Sequence, residues 1–191
     1  MSVSPQTPIY LDKSQPIEQR IEDALSRMTL QEKINIIHAQ SKFSAPGVPR
    51  LGIPELWCTD GPMGVRPEVM WDEWDQAAWT NDSCMAFPAL SCLAATWNPR
   101  MASLYGKSIG EEARFRNKSV LLGPGINVYR TPLCGRNFEY MGEDPYLISH
   151  MVVPYVQGVQ SNGVSACVKH FALNNNCLLY TSDAADELDG V

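Results

Sequence analysis

VLLGPGINVYRTPLCGRNFEYMGEDPYLISHMVVPYVQGVQSNGVSACVKH, residues 120–170, carries the decisive pattern. Val120-Leu121-Leu122 is a short apolar run that stops at Gly123-Pro124-Gly125, as a buried strand does at a turn. Asp144-Pro145 pairs a capping side chain with proline at the first helical position, predicting a helix toward Gln160. Pro154 inside it is expected to bend or break that helix. Ser161-Asn162-Gly163 reads as a turn, Val164–Val168 as a second strand, and Lys169-His170 stands at its C-terminal end. Upstream the pattern repeats. Leu56–Thr59 is an apolar run ending at Asp60-Gly61-Pro62, and Asn98-Pro99 opens a helix running to about Arg116. Strands alternating with helices, without a hairpin signal, imply an α/β architecture of parallel strands. Doubly wound sheets and (β/α) barrels both fit. In both, the chemistry gathers at the C-terminal strand ends, and Asp60, the Gly123–Arg136 loop and Lys169-His170 all follow such ends.

Residues 1–16 read as an extended polar lead-in with Pro5 and Pro8. Ile17, Ile21, Leu25 and Met28 recur at helical spacing; Thr29 with Glu32 makes a capping-box pattern, and Leu30, Ile34 and Ile37 share one face of a second helix. Residues 41–54 read as loop. Residues 67–86, with Trp71, Trp74 and Trp79, read as a long surface loop of the kind that is often functional.

Fifteen Lys and Arg against 21 Asp and Glu leave a net charge of −6, which argues against nucleic acid as a partner. The longest apolar runs are too short to span a membrane. Met1–Lys13 lack the pattern of a signal peptide, so the compartment stays open between periplasmic or secreted and cytoplasmic. Six scattered cysteines (Cys58, Cys84, Cys92, Cys134, Cys167 and Cys177) show no metal-ligand spacing and read as free thiols; no metal or organic cofactor is expected.

Three groups of residues can carry chemistry. Asp60 with Arg66 in DGPMGVR suits a carboxylate receiving polyol hydroxyls beside a cation; it equally suits a turn-forming aspartate and a surface arginine. Arg130, Arg136, Glu139, Glu143 and Asp144, interleaved with Phe138, Tyr140 and Tyr146, suit a sugar site or a structural salt-bridge network, with Asp144 acting as a helix cap. Lys169 and His170 have the best position, but strand alternation would point them to opposite faces unless the backbone is distorted there. Gly123-Pro124-Gly125 matches neither phosphate-loop pattern.

Taken together, RLGIPELWCTDGPMGVR, FPALSCLAATWNP, LLGPGINVYRTPLCGRNFEYMGEDPYL, YVQGVQSNGVSACVKHF and ALNN resemble glycoside hydrolase family 3 over residues 17–176, and β-glucosidases of gut-type anaerobes in particular. The resemblance implies a partial (β/α)8 TIM-type barrel, its first three or four βα units, where a complete one takes about 250 residues. It implies exo-acting, retaining hydrolysis of a terminal β-linked glucose, with a small β-glucoside or oligosaccharide as partner. Two carboxyls about 5–5.5 Å apart do that work, one as nucleophile and one as acid/base. Substrate-binding roles map onto Asp60, Arg66, Arg136, Lys169 and His170. The resemblance also implies a non-proline cis peptide near the Lys-His pair. The nucleophile and the acid/base map onto no residue here, so the chain is expected to be inactive; Ser182-Asp183 lacks the tryptophan of the nucleophile motif and comes too early. Within the family, β-xylosidase or α-arabinofuranosidase is the alternative, and a non-catalytic sugar-binding fragment another. A β-N-acetylglucosaminidase would carry Pro-Gly-His-Gly after Lys-His-Phe, where Ala172-Leu173-Asn174-Asn175 stand. Cys177–Val191 depart from the family pattern; the opening CLLYTSDAAD resembles a translated sequencing adaptor, so 177–191 is expected to be non-native.

Overall fold

The computed structural model describes residues 7–67, 83–171 and 174–175. The tryptophan-bearing loop and the segment after Asn175 therefore fall almost wholly outside the described residues. The chain divides into two compact units, Met1–Leu56 and Trp57–Val191.

In the first unit, Ile9–Leu11 form one 3₁₀ turn within the segment read as extended, and α1 (Ile17–Arg27) starts directly after Pro16. Thr29 caps α2 (Leu30–Ile36) through the reciprocal bonds of a capping box: Glu32 N–H donates to Thr29 Oγ1 and Thr29 N–H to Glu32 Oε2. Arg50, in a 3₁₀ turn at Pro49–Leu51, donates to the same Glu32 carboxylate at 2.7 Å and to the Arg27 carbonyl at 2.8 Å. That cation and the cap hold the Glu32 carboxyl down to about 2. β1 (Ser44–Ala45) precedes that turn. The apolar stripes of α1 and α2 lie open, Ile17 being 59% exposed and Leu30 74%.

The second unit begins in β2 (Leu56–Asp60). β2 pairs in parallel with β3 (Val120–Leu122), and β3 in parallel with β4 (Ser165–Ala166), as the alternation requires. Thr59 lies beside Leu121, and Leu121 beside Ala166, so one face of the sheet carries the buried Thr59 and Leu121 and the half-buried Ala166. Asp60 pairs with Leu122 at the strand tip. β4 is shorter than the apolar run Val164–Val168 suggests: ladder pairing stops at Ala166 and resumes as one bridge between Gly125 and Lys169.

α3 (Leu90–Ala95) is an element that the short apolar stretch did not announce; its Leu90, Leu93 and Ala94 are buried. α4 (Pro99–Phe115) and α5 (Pro145–Gln160) are capped by Asn98 and Asp144, each accepting from the backbone N–H two residues on. Pro154 does not break α5. The helix carries one buried face, Ile148, Met151, Tyr155 and Val159, and burial of that face outweighs the hydrogen bond that proline forfeits. α4 and α5 approach closely because glycine stands at the crossing. A Cβ on Gly106 would lie 2.0 Å from the Tyr155 carbonyl oxygen, and one on Gly158 2.4 Å from that of Ser103. Tyr155 Oη donates to the Pro62 carbonyl at 3.2 Å and Tyr105 Oη to that of Pro88 at 2.8 Å, so the helix layer fixes the loop that leaves Asp60.

Candidate functional site

Three segments from one end of the sheet supply the site. Asp60 ends β2, and its Oδ1 accepts the Gly61 N–H at 2.9 Å. The turn that follows brings Arg66 back: its N–H donates to the Asp60 carbonyl at 3.1 Å and its Nη1 stands 3.9 Å from Asp60 Oδ2. The loop after β3 places Arg136 at the entry of a 3₁₀ turn, Asn137–Glu139. Beyond β4, Lys169 N–H donates to the Pro124 carbonyl at 3.0 Å and Ile126 N–H to the Lys169 carbonyl at 2.7 Å, pinning the Lys-His segment to the loop after β3.

The Lys169–His170 peptide is cis. Lys169 Nζ lies 3.2 Å from Asp60 Oδ1 and 3.1 Å from Glu139 Oε2. The His170 ring meets Arg136 Nη2 at 3.2 Å through Nε2 and Tyr140 Oη at 2.9 Å through Nδ1, while its backbone N–H donates to Asn127 Oδ1 at 2.8 Å. The two side chains therefore meet a shared set of charges, which plain alternation would have separated.

The electrostatics follow from that packing. Glu139 is buried, with its side chain 8% exposed. Burial alone would raise its carboxyl, but the Arg136 hydrogen bond to Oε1 and the charges of Lys169 and Arg136 outweigh it and hold the group below its usual range. Its Oε2 makes an ion pair with Lys169 whose angle is not that of a hydrogen bond. His170 is driven the other way: burial, then the neighbouring Arg136 and Lys169 cations, lower its pKa below the ordinary 6.5. Because a guanidinium can only donate, the shorter Arg136 contact assigns the lone pair to Nε2 and the proton to Nδ1, over the longer approach of Asn174 Nδ2 to Nδ1 at 3.4 Å. That proton points to Tyr140 Oη, which also receives Asn174 Nδ2 at 2.7 Å. The arrangement is a wall of fixed donors beside the carboxylate acceptor Asp60, suited to a neutral, hydroxyl-rich ligand.

All five residues singled out for substrate binding, Asp60, Arg66, Arg136, Lys169 and His170, thus lie in one connected network. Not all of the charged crowd joins it. Arg130 and Glu143 line an open groove of about 310 Å³ with Tyr129, Thr131, Pro132 and Asn137. Tyr146 stacks on His150 in the first turns of α5, centroids 4.1 Å apart, while Tyr140 is buried and meets the His170 ring edge-on. Asn127 and Asn174 join the site with no signal of their own in the sequence, whereas Glu139 and Tyr140 belong to the charged and aromatic group read there as a sugar site or a salt-bridge network. For Glu139 the signal was its i,i+3 spacing from Arg136, which a 3₁₀ turn brings onto one face.

Parallel strands with helical crossovers and a charged cluster at their C-terminal tips define an α/β protein with its candidate site at the strand ends. Residues 31–177 match the Glycosyl hydrolase family 3 N terminal domain, and the chain belongs to that family. It is 70% identical over 170 residues to Beta-glucosidase BoGH3A of Bacteroides ovatus, covering 89% of this chain and 23% of that protein. It is 45% identical over 157 residues to Thermostable beta-glucosidase B of Acetivibrio thermocellus, covering 81% and 20%. Beta-glucosidase 3B of Thermotoga neapolitana, solved in complex with glucose, superposes with a TM-score of 0.71 at 38% identity, over 82% of this chain and 23% of that one. The chain therefore spans about a quarter or less of the length of these relatives, and its strands are part of a TIM-type barrel domain.

Proposed function

We propose that this chain supplies the sugar-holding wall of an exo-acting, retaining β-glucosidase. In this reading Asp60 accepts hydroxyls remote from the anomeric carbon, Arg66 holds the Asp60 charge, and Arg136, Lys169 and His170 line the ring of the glucose being released. The observation that carries it is the meeting of Lys169 Nζ with Asp60 at a strand tip, inside a donor-rich network. The relatives named beta-glucosidases support the reaction, and the glucose in the Thermotoga neapolitana structure supports the ligand. Charged hydrogen bonds of this type contribute about 1.5–3 kcal/mol each, and they speed the reaction only as far as they tighten at the oxocarbenium-like transition state.

A second reading within the family is an arabinose-directed glycosidase. It is favoured by a Bifidobacterium longum relative named Exo-alpha-(1->6)-L-arabinopyranosidase, 38% identical over 148 residues. One chimaera tests both, with residues 31–175 of this chain replacing the matching segment of the Bacteroides ovatus relative. Release of p-nitrophenol from the β-D-glucoside in preference to the α-L-arabinoside and β-D-xyloside supports the first reading. Preference for either pentoside rejects it. The 191-residue chain alone, to which the resemblance assigns neither catalytic carboxyl, is expected to release none.

A further inference from the structure

Lys169 and Arg136 would not hold their places by packing alone. Each carries a charge that is mostly out of water, their side chains 14% and 34% exposed, and both converge on one buried carboxylate. Glu139 gives Oε1 to Arg136 Nε and faces Oε2 to Lys169 Nζ at 3.1 Å. Asp60 alone could not replace it: Asp60 is the more open acid, 39% exposed, and its Oδ1 already accepts the Gly61 N–H. We infer that Glu139 is the positioning residue of the site, dividing its two oxygens between the two cations so that Lys169 and Arg136 are held apart at the strand tips where a ligand would meet them. This deepens the sugar-holding reading and rests on it.

The chemistry of the fork makes the role specific to a carboxylate. An ammonium and a guanidinium are donors only. A glutamine at this position keeps the volume but offers one acceptor oxygen, and its amide nitrogen turns a donor toward one cation or the other. Lys169 or Arg136 must then move off, and a hydroxyl that each would hold loses its partner. The net charge of the cluster Asp60, Arg66, Arg136, Glu139 and Lys169 rises by one at the same time.

The test is a cycle of Glu139→Gln, Lys169→Met and the double variant in the chimaera, with kcat/KM measured on the β-D-glucoside and thermal melts as the control on folding. Glu139→Gln is expected to lower kcat/KM roughly 10- to 100-fold in the Lys169 background and by a clearly smaller factor in the Lys169→Met background, where only the Arg136 half of the fork is left to lose, because contacting residues are coupled. A Glu139→Gln loss below about threefold, or losses that multiply fully in the double variant, overturns the inference. An unsubstituted chimaera that prefers a pentoside speaks against the sugar reading instead, so the two failures are distinguishable. A second measurement needs no turnover: in the 191-residue chain, ¹⁵N NMR should show Arg136 Nε–H exchanging with water far more slowly than an exposed arginine, and Glu139→Gln should abolish that protection. Fast exchange in the unsubstituted chain overturns the inference.

Discussion

The ammonium of Lys169 sits 3.2 Å from Oδ1 of Asp60 across a sequence separation of 109 residues. Neither residue is unusual in its own stretch; the sheet order β2-β3-β4 brings the two strand ends to the same tip. Because β3 lies between them, the contact is made beyond the ladder, by Asp60 at the last paired position of β2 and by Lys169 after the β4 ladder has closed.

That contact makes Asp60 the residue whose removal costs most directly. Asp60→Ala takes away the acceptor, the partner of Lys169 and the counter-charge of Arg66 at once. In the chimaera its kcat/KM on a β-D-glucoside should fall by about 1.5–3 kcal/mol, roughly 10- to 150-fold. Steady-state kinetics checks this, and a value within about threefold of the unsubstituted chimaera would remove Asp60 from the pocket.

His170 should titrate below the ordinary 6.5 because burial and two neighbouring cations oppose its charge. The sign for stability follows. In the unfolded chain the imidazole takes its proton near 6.5, while in the folded chain it resists until lower pH. His170 therefore costs nothing above the unfolded value and destabilises progressively as pH falls below about 6.5, levelling off under the folded pKa. An NMR titration of the His170 ring protons is expected to give a midpoint under 6.5. A midpoint at or above that value would mean that Arg136 is not donating to Nε2.

Gly158→Ala should destabilise the second unit although alanine is the better helix former. Its Cβ would stand 2.4 Å from the Ser103 carbonyl oxygen, so α4 and α5 must move apart. Overpacking of this kind costs about 1–3 kcal/mol, against a propensity gain of at most about 1 kcal/mol. Urea titration of the 191-residue chain checks it; an unchanged or raised midpoint would show that the helices do not cross there.

The parts of this molecule that were legible in its sequence are those set by local rules. Asn98-Pro99 and Asp144-Pro145 start helices because cap and ring geometry act within one turn, and the Thr29–Glu32 box does the same for α2. The parallel order followed from alternation. α5 runs through Pro154 unbroken because one residue's lost hydrogen bond is a local cost, whereas the buried face of α5 is a tertiary gain. α3 escapes sequence patterning because its six residues are too short for periodicity to show. Position after strand ends makes Asp60, the Arg136 loop and Lys169-His170 candidates, and the resemblance singles out five residues among them: nothing in VKHF taken alone reveals that Lys169 will meet Asp60, and nothing in GRNFEY separates Arg136, which joins the network, from Arg130, which lines a groove outside it.

The most direct test of the sugar-holding wall is a crystal structure of the chimaera soaked with glucose. One pyranose is expected, with hydroxyls within hydrogen-bond distance of the Asp60 carboxylate and Lys169 Nζ, and within reach of Arg136 and His170. A glucose seated elsewhere, with the Asp60–Lys169 pair closed on itself and touching no sugar, would contradict it.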